Sequence, residues 1–168
     1  MRVLSIDPAI RNTGYALIEG DHRAARALDY GTLSLKKSLS QSECLLAIHD
    51  HIISLIEKWQ PDELAIESII YVQSHRTAIS MGSARAATVL AAARCGLRIM
   101  EYPPKSVKLA VVGRGAAEKS QVAFMMRALL HLTETPAPDA ADALAIGFAH
   151  LTAADPLRAH IFSERKYI

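Results

Sequence analysis

The hydrophobic period of this chain changes once, close to residue 40, and that change limits the fold more than any other feature. Before it, apolar residues come in short runs: 3–7, stopped by Pro8; 13–19, closed by Gly20-Asp21; and 27–35. Short runs bounded by turn residues read as strands, and the brief connections between them predict an antiparallel meander. After it, Leu45, Ile48, Ile52, Leu55 and Trp59 recur at steps of three and four, which lines one face of a helix. Ser40-Gln41-Ser42-Glu43 supplies a capping-box start, and Pro61 lies just past the end. Residues 63–67 read as a compact strand, 74–94 as an Ala-rich helix and 97–102 as a fifth strand cut off by Pro103-Pro104. Helical patterns follow at 105–111, 118–131 and 139–151. Three strands followed by alternating helix and strand predict an α/β fold. Its five-stranded mixed sheet would join a three-strand antiparallel meander to two parallel strands, with helices on both faces.

A chain of 168 residues holds one sizeable core. The expectation is a single domain over residues 1–156 and a loose C-terminal tail, 157–168, that carries no strong periodicity. No run approaches the roughly 18 apolar residues that cross a bilayer, and the opening residues read as a strand rather than a secretory leader. Cys44 and Cys95 lack C-x-x-C spacing and are expected to be buried thiols, in keeping with a reducing, cytoplasmic setting and no membrane partner.

The net charge of +2 hides an asymmetry. Residues 68–131 hold nine Lys/Arg against two acids, Glu101 and Glu118, so that segment is +7 and the remainder −5. A basic segment beside carboxylates suits a polyanion held next to bound metal. A basic solvated surface explains the same numbers equally well.

The carboxylates carry more information. Asp7 and Glu67 each close a hydrophobic strand, and sites in α/β sheets gather at the carboxyl ends of strands. Asp139 and Asp142 stand three apart at the start of a helical pattern, on one face of its first turn. Singly, Asp139 reads as a helix cap, Asp142 as a charge favoured by the helix dipole, and Asp7 as a turn residue. Together, four carboxylates at one sheet edge would repel unless cations neutralise them. Hard divalent ions such as Mg²⁺ take oxygen ligands, and a pair of them can activate water and stabilise the leaving oxygen of a phosphodiester.

Several motifs resemble those of the RuvC-type Holliday junction resolvases. They are Leu4-Ser5-Ile6-Asp7-Pro8 with Thr13-Gly14-Tyr15, Ala65-Ile66-Glu67, and Val107-Lys108 with Val111-Val112-Gly113. Ala117-Glu118-Lys119-Ser120-Gln121-Val122 and Asp139-Ala140-Ala141-Asp142-Ala143-Leu144-Ala145 complete the set. They occur in family order over nearly the whole chain. The resemblance implies an RNase H-like fold and a homodimer that nicks two opposed strands of a four-way DNA junction during recombination and repair. It implies a metal site of Asp7, Glu67, Asp139 and Asp142 holding two Mg²⁺, with Mn²⁺ as a substitute. Lys108 and Lys119 match basic positions close to the scissile phosphate, Lys119 with a catalytic share. Arg76 and Arg114 are further candidates for DNA contact, and a branch-migration motor complex is a candidate partner.

Two departures from the family pattern stand out. Ala9 replaces the glycine that often follows the first Asp-Pro, and Ile70 occupies the place of an aromatic residue three positions after the glutamate, with Tyr71 beside it. Either Ile70 wedges into the junction, as aliphatic side chains do between base steps, or Tyr71 stacks instead, or Tyr71 merely packs. Small residues, Ala78, Gly82 and Ala86 with Ser83 and Ala87, recur at four-residue spacing in the helix over 74–94. They would serve a dimer interface or close seating on the chain's own sheet.

Rival readings are a different RNase H-like nuclease or RNA-processing enzyme, and a non-catalytic binder of branched DNA. A nucleotide-binding loop at Gly113-Arg114-Gly115-Ala116-Ala117-Glu118-Lys119-Ser120 fails its templates, because no glycine precedes Lys119 and Glu118 stands at a required glycine. The seven histidines show no ligand spacing and read as structural or surface residues.

Overall fold

The structure, a computed structural model, describes residues 1–69 and 74–168. The element order is β1 (Arg2–Asp7), β2 (Asn12–Gly20), β3 (Ala25–Ser34), α1 (Gln41–Trp59), β4 (Glu63–Glu67), α2 (His75–Arg94), β5 (Arg98–Tyr102), α3 (Pro104–Val112), α4 (Lys119–Leu129) and α5 (Pro138–Thr152). A 3-10 helix (Pro156–Phe162) and a two-residue strand β6 (Lys166–Tyr167) follow. One sheet runs β3-β2-β1-β4-β5-β6. β1, β2 and β3 form the antiparallel meander, and β4 and β5 extend it in parallel from β1.

Strand parity divides the core in two. Leu4, Ile6, Leu64 and Ile66 face α1 and α2, whereas Val3, Ala16, Ile18 and Ala65 face α5 with α3 and α4 behind it. Successive side chains point to opposite faces of a strand. Asp7 therefore falls on the α5 face with Val3 and Ser5, and Glu67 on the same face with Ala65. The capping box that begins α1 forms as its sequence predicts. Ser40 Oγ accepts from the Glu43 N–H, and the Ser40 N–H donates to the Glu43 carboxylate.

The sheet has six strands among the described residues rather than five, and the C-terminal dozen residues are not loose. β6 pairs antiparallel with β5, and Phe162 is 2% exposed, edge-on to Tyr102 at 5.7 Å. Lys166 pairs with Glu101 at 3.3 Å, and the Arg165 guanidinium donates to the Ala153 carbonyl at 2.7 Å. A lone aromatic anchor and two paired residues leave no periodic trace in a sequence, yet they cover the otherwise open edge of β5. Cys44 is buried, but Cys95 is exposed, contrary to expectation, because it ends α2 and lies in the turn that leaves it. Among the described residues no helix is long and apolar enough to cross a membrane.

Candidate active site

β1 and β4 run side by side and in parallel, with Ile6 opposite Ile66, so the next residue of each, Asp7 and Glu67, closes its strand at the same end of the sheet. α5 crosses above them. Its first turn carries Asp139 at this end, and Asp142 follows three residues further on. At the other end of the helix, His150 Nε2 lies 3.2 Å from Glu63 Oε2, at the start of β4.

Three contacts seat α5 this closely. Gly14, opposite Asp7 in the β1–β2 ladder, lies against the first turn of α5, and a Cβ there would fall 2.0 Å from the Asp139 carbonyl oxygen. Two residues before Asp7, the buried Ser5 hydroxyl donates to the Ala143 carbonyl at 2.7 Å. One turn later Gly147 lies against Ser5, where a Cβ would approach Oγ to 2.6 Å. Only a residue without a side chain permits such backbone approach. Ser5 and Gly14 were visible in the sequence as members of motifs, but their contacts with α5, and the role of Gly147, had no sequence signal.

Asp139 is not a cap. The helix begins one residue earlier, at Pro138, and Ala137 occupies the N-cap with no side-chain bond. Nor does Asp7 serve a turn, since it closes β1 inside the ladder. The turn that follows tolerates Ala9, whose φ is not positive; its carbonyl accepts from the Thr13 hydroxyl at 2.7 Å.

The electrostatics record the crowding. Burial, then the Asp142 charge and more weakly Asp139, push Asp7 up to about 6 against the pull of Lys119. Burial, then Asp7 and Asp142, push Glu67 up to about 7 against Lys108 and Lys119. Lys119, at the first position of α4, donates from Nζ to Asp142 Oδ2 at 2.7 Å, and that bond raises its own affinity for a proton. Lys119 is thus paired with an acid, as an ordinary surface lysine would be, but the acid belongs to this cluster. Arg76 and Arg114 are exposed and are not among the charges that move Asp7 or Glu67; Arg76 lies beside Ile10, Arg11 and Gln41 instead. Ile70 and Tyr71 lie outside the described residues.

The donor set is all oxygen, and it holds more negative charge than its surroundings balance, which suits a hard divalent cation. Among the described residues, however, no three or more His, Cys, Asp or Glu side chains stand in a geometry that would hold an ion. The Lys119 ammonium supplies part of the missing positive charge at Asp142, and the remaining repulsion favours keeping the carboxylates apart.

A mixed sheet with acids at the carboxyl ends of two adjacent parallel strands, completed by acids on a helix crossing its face, defines a nuclease of the RNase H-like fold. Residues 3–150 match the family described as crossover junction endodeoxyribonuclease RuvC. The RuvC of Akkermansia muciniphila is 73% identical over 168 residues, covering all of both chains. That of Halothermothrix orenii is 42% identical over 151 residues, 89% of this chain and 92% of its own. The structure of T. thermophilus RuvC in complex with a Holliday junction substrate superposes with a TM-score of 0.89 at 30% identity, covering 100% of this chain and 99% of the other. This chain belongs to the RuvC crossover junction endodeoxyribonuclease family.

Proposed function

We propose that this protein resolves four-way DNA junctions by metal-dependent hydrolysis of one phosphodiester in each of two opposed strands. The observation that carries the reading is the gathering of Asp7, Glu67 and Asp142 into one electrostatic unit that raises Asp7 and Glu67 together, with Asp139 acting on Asp7 and Lys119 on both. Family membership supports the activity, and the junction bound by the T. thermophilus relative supports the substrate.

Asp7, Glu67, Asp139 and Asp142 would hold one or two Mg²⁺ ions, with Mn²⁺ as a substitute. When bound, such ions activate a water for attack at phosphorus and stabilise the leaving oxygen. Asp7 and Glu67 must shed their protons to serve. Asp142 must release Lys119, whose freed ammonium then lies at the mouth of the site to bind a phosphate oxygen and offset the charge that develops there. Lys108, whose charge already lowers Glu67, would guide the strand towards it.

Two cuts in opposed strands need two copies of the chain. α2 offers a surface for the second copy. Ile79 and Leu90 are 67% and 64% exposed, and the small Ser83 and Ala86 lie between them at helical spacing. A helix with large apolar residues at its ends and small ones between them can approach another helix closely. A branch-migration motor remains the candidate partner that would deliver the junction.

The direct test supplies the protein with Mg²⁺ and either a synthetic four-way junction or linear duplex of the same sequence. Paired symmetric nicks in the junction, stopped by EDTA, are expected. Asp7→Asn should lose cutting and keep junction binding. Equal cleavage of both substrates would remove the junction assignment and leave a general nuclease.

A further inference from the structure

α5 is tied to the sheet at two places, and the second lies far from the acids. The first is Ser5 of β1, whose hydroxyl donates to the Ala143 carbonyl at 2.7 Å and whose side chain lies against Gly147. The second is His150, in the last turn of the helix. His150 Nε2 lies 3.2 Å from Glu63 Oε2, at the start of β4, and Nδ1 lies 3.0 Å from the Tyr102 hydroxyl, at the end of β5. All three side chains are buried. Glu63 Oε1 pairs with Arg98, so the carboxylate has a partner at each oxygen.

The imidazole fits this place as a neutral ring. A neutral histidine carries one N–H donor and one acceptor nitrogen. With its proton on Nε2 the ring turns a donor towards the Glu63 carboxylate and leaves Nδ1 to accept from the Tyr102 O–H. Burial, then the Arg165 and Arg98 charges, push His150 down to about 4, and burial holds the Tyr102 phenol well above its usual value, so neither changes charge near pH 7. Both partners lead back to Glu67. Glu63 begins the five-residue strand that Glu67 ends. Tyr102 is the β5 residue opposite Glu67, and its carbonyl accepts from the Ser68 N–H at 2.8 Å.

We propose that His150 is a positioning residue, which fixes the direction of α5 against β4 and so sets where Asp139 and Asp142 stand relative to Glu67. The proposal rests on reading these acids as the metal site of a junction nuclease. Ser5 touches the helix between Ala143 and Gly147, and a single point of attachment is a pivot that leaves direction free. At 1.5 Å per residue, His150 stands about 8 Å to one side of that pivot and Asp139 about 9 Å to the other. The arms are nearly equal, so a swing of about 1 Å at the histidine becomes about 1 Å at the acid. Misplacement of that size in a reacting site costs on the order of 10²-fold in rate. His150 touches no substrate; it acts through the helix.

The test uses the full chain, Mg²⁺ and a synthetic four-way junction. His150→Leu removes both contacts, while Glu63 keeps Arg98 and is not left as a lone buried charge. The single-turnover cleavage rate should fall about 10²-fold while junction affinity in EDTA stays within about twofold. The Mg²⁺ concentration that half-completes the rise in melting temperature of the DNA-free protein should increase. His150→Gln returns a donor towards Glu63 and should recover about tenfold of the lost rate. Tyr102→Phe removes a single oxygen atom and should slow cutting about three- to tenfold, with no further loss when added to His150→Leu, because the two act through one contact. Ile56→Ala, in the opposite layer, should lose stability and keep the parental rate and Mg²⁺ response. A folded His150→Leu with parental rate and Mg²⁺ response would overturn the proposal, as would an equal loss of rate in Ile56→Ala. Should His150→Leu not fold, parental rate and Mg²⁺ response in Tyr102→Phe would overturn it too. A parent that cuts no DNA would overturn the nuclease reading instead, and the Mg²⁺ response of the DNA-free variants would still decide the placement of the acids.

Discussion

Lys119 Nζ stands 2.7 Å from Asp142 Oδ2, so among the described residues the one cation bonded to the acidic cluster comes from α4, while the acids come from β1, β4 and α5. An internal ammonium that neutralises a carboxylate in the ion-free protein is free for other work once a stronger cation takes its place. Lys119→Ala should therefore lower the single-turnover cleavage rate roughly 10²-fold or more while changing junction affinity little. Comparable losses in both would make Lys119 a contact for binding alone.

The raised carboxyls of Asp7 and Glu67 tie metal affinity to pH. Both are held above their ordinary values, to about 6 and about 7, so near neutrality each carries a proton part of the time, and an ion must displace it. Apparent Mg²⁺ affinity should rise with pH through 6 to 7 and level off above. The ion-free protein should behave oppositely in stability. A carboxyl whose folded pKa lies above its unfolded value destabilises the fold when ionised, so the part of the melting temperature that depends on Asp7 and Glu67 should rise as pH falls through 7 and 6, against the opposite trend from His150, which burial holds down to about 4. Asp7→Asn should flatten this rise. The same pH dependence of melting temperature in the parent and in Asp7→Asn would contradict the crowding of the acids.

Gly14→Ala should damage the site through its frame. The added methyl would collide with the Asp139 backbone, and the start of α5 would have to move away from β2. A loss of about 1–3 kcal/mol in stability is expected from overpacking of this kind. Weaker Mg²⁺ binding should accompany it, measurable by metal-dependent melting, because Asp139 and Asp142 would shift relative to Asp7.

Phe162→Ala should loosen the C-terminal segment. The ring is fully buried against Tyr102, and its removal should cost about 3–5 kcal/mol, read by chemical denaturation. Glu101 would still pair with Arg85 at 2.7 Å, so the sheet itself should survive.

The layered fold and the four acids were legible in the sequence for a simple reason. Buried strands advertise themselves by apolar runs, and the runs at 3–7 and 63–67 both stop at a carboxylate. The capping box of α1 was legible because Ser40 and Glu43 act within one turn. What stayed hidden depends on residues far apart in the chain. Nothing local reveals that Gly14 meets Asp139, that Ser5 bonds to Ala143, or that Phe162 reaches Tyr102. The exposure of Cys95 escaped notice because a thiol at a helix end resembles one in the middle of an apolar face.

The alternation along β1 also has a consequence for folding. Ile6 and Asp7 are neighbours with opposite destinations, one in the aliphatic layer under α1 and α2, the other in the cleft beneath α5. A slip of one residue in the pairing of β1 would exchange them, forcing an ionised carboxylate into hydrocarbon and an isoleucine into a polar cleft. Glu67 beside Ile66 imposes the same penalty on β4. The acids that would hold the metal thus also proofread the assembly of the sheet, and a misaligned chain is rejected by the residues it would need for activity.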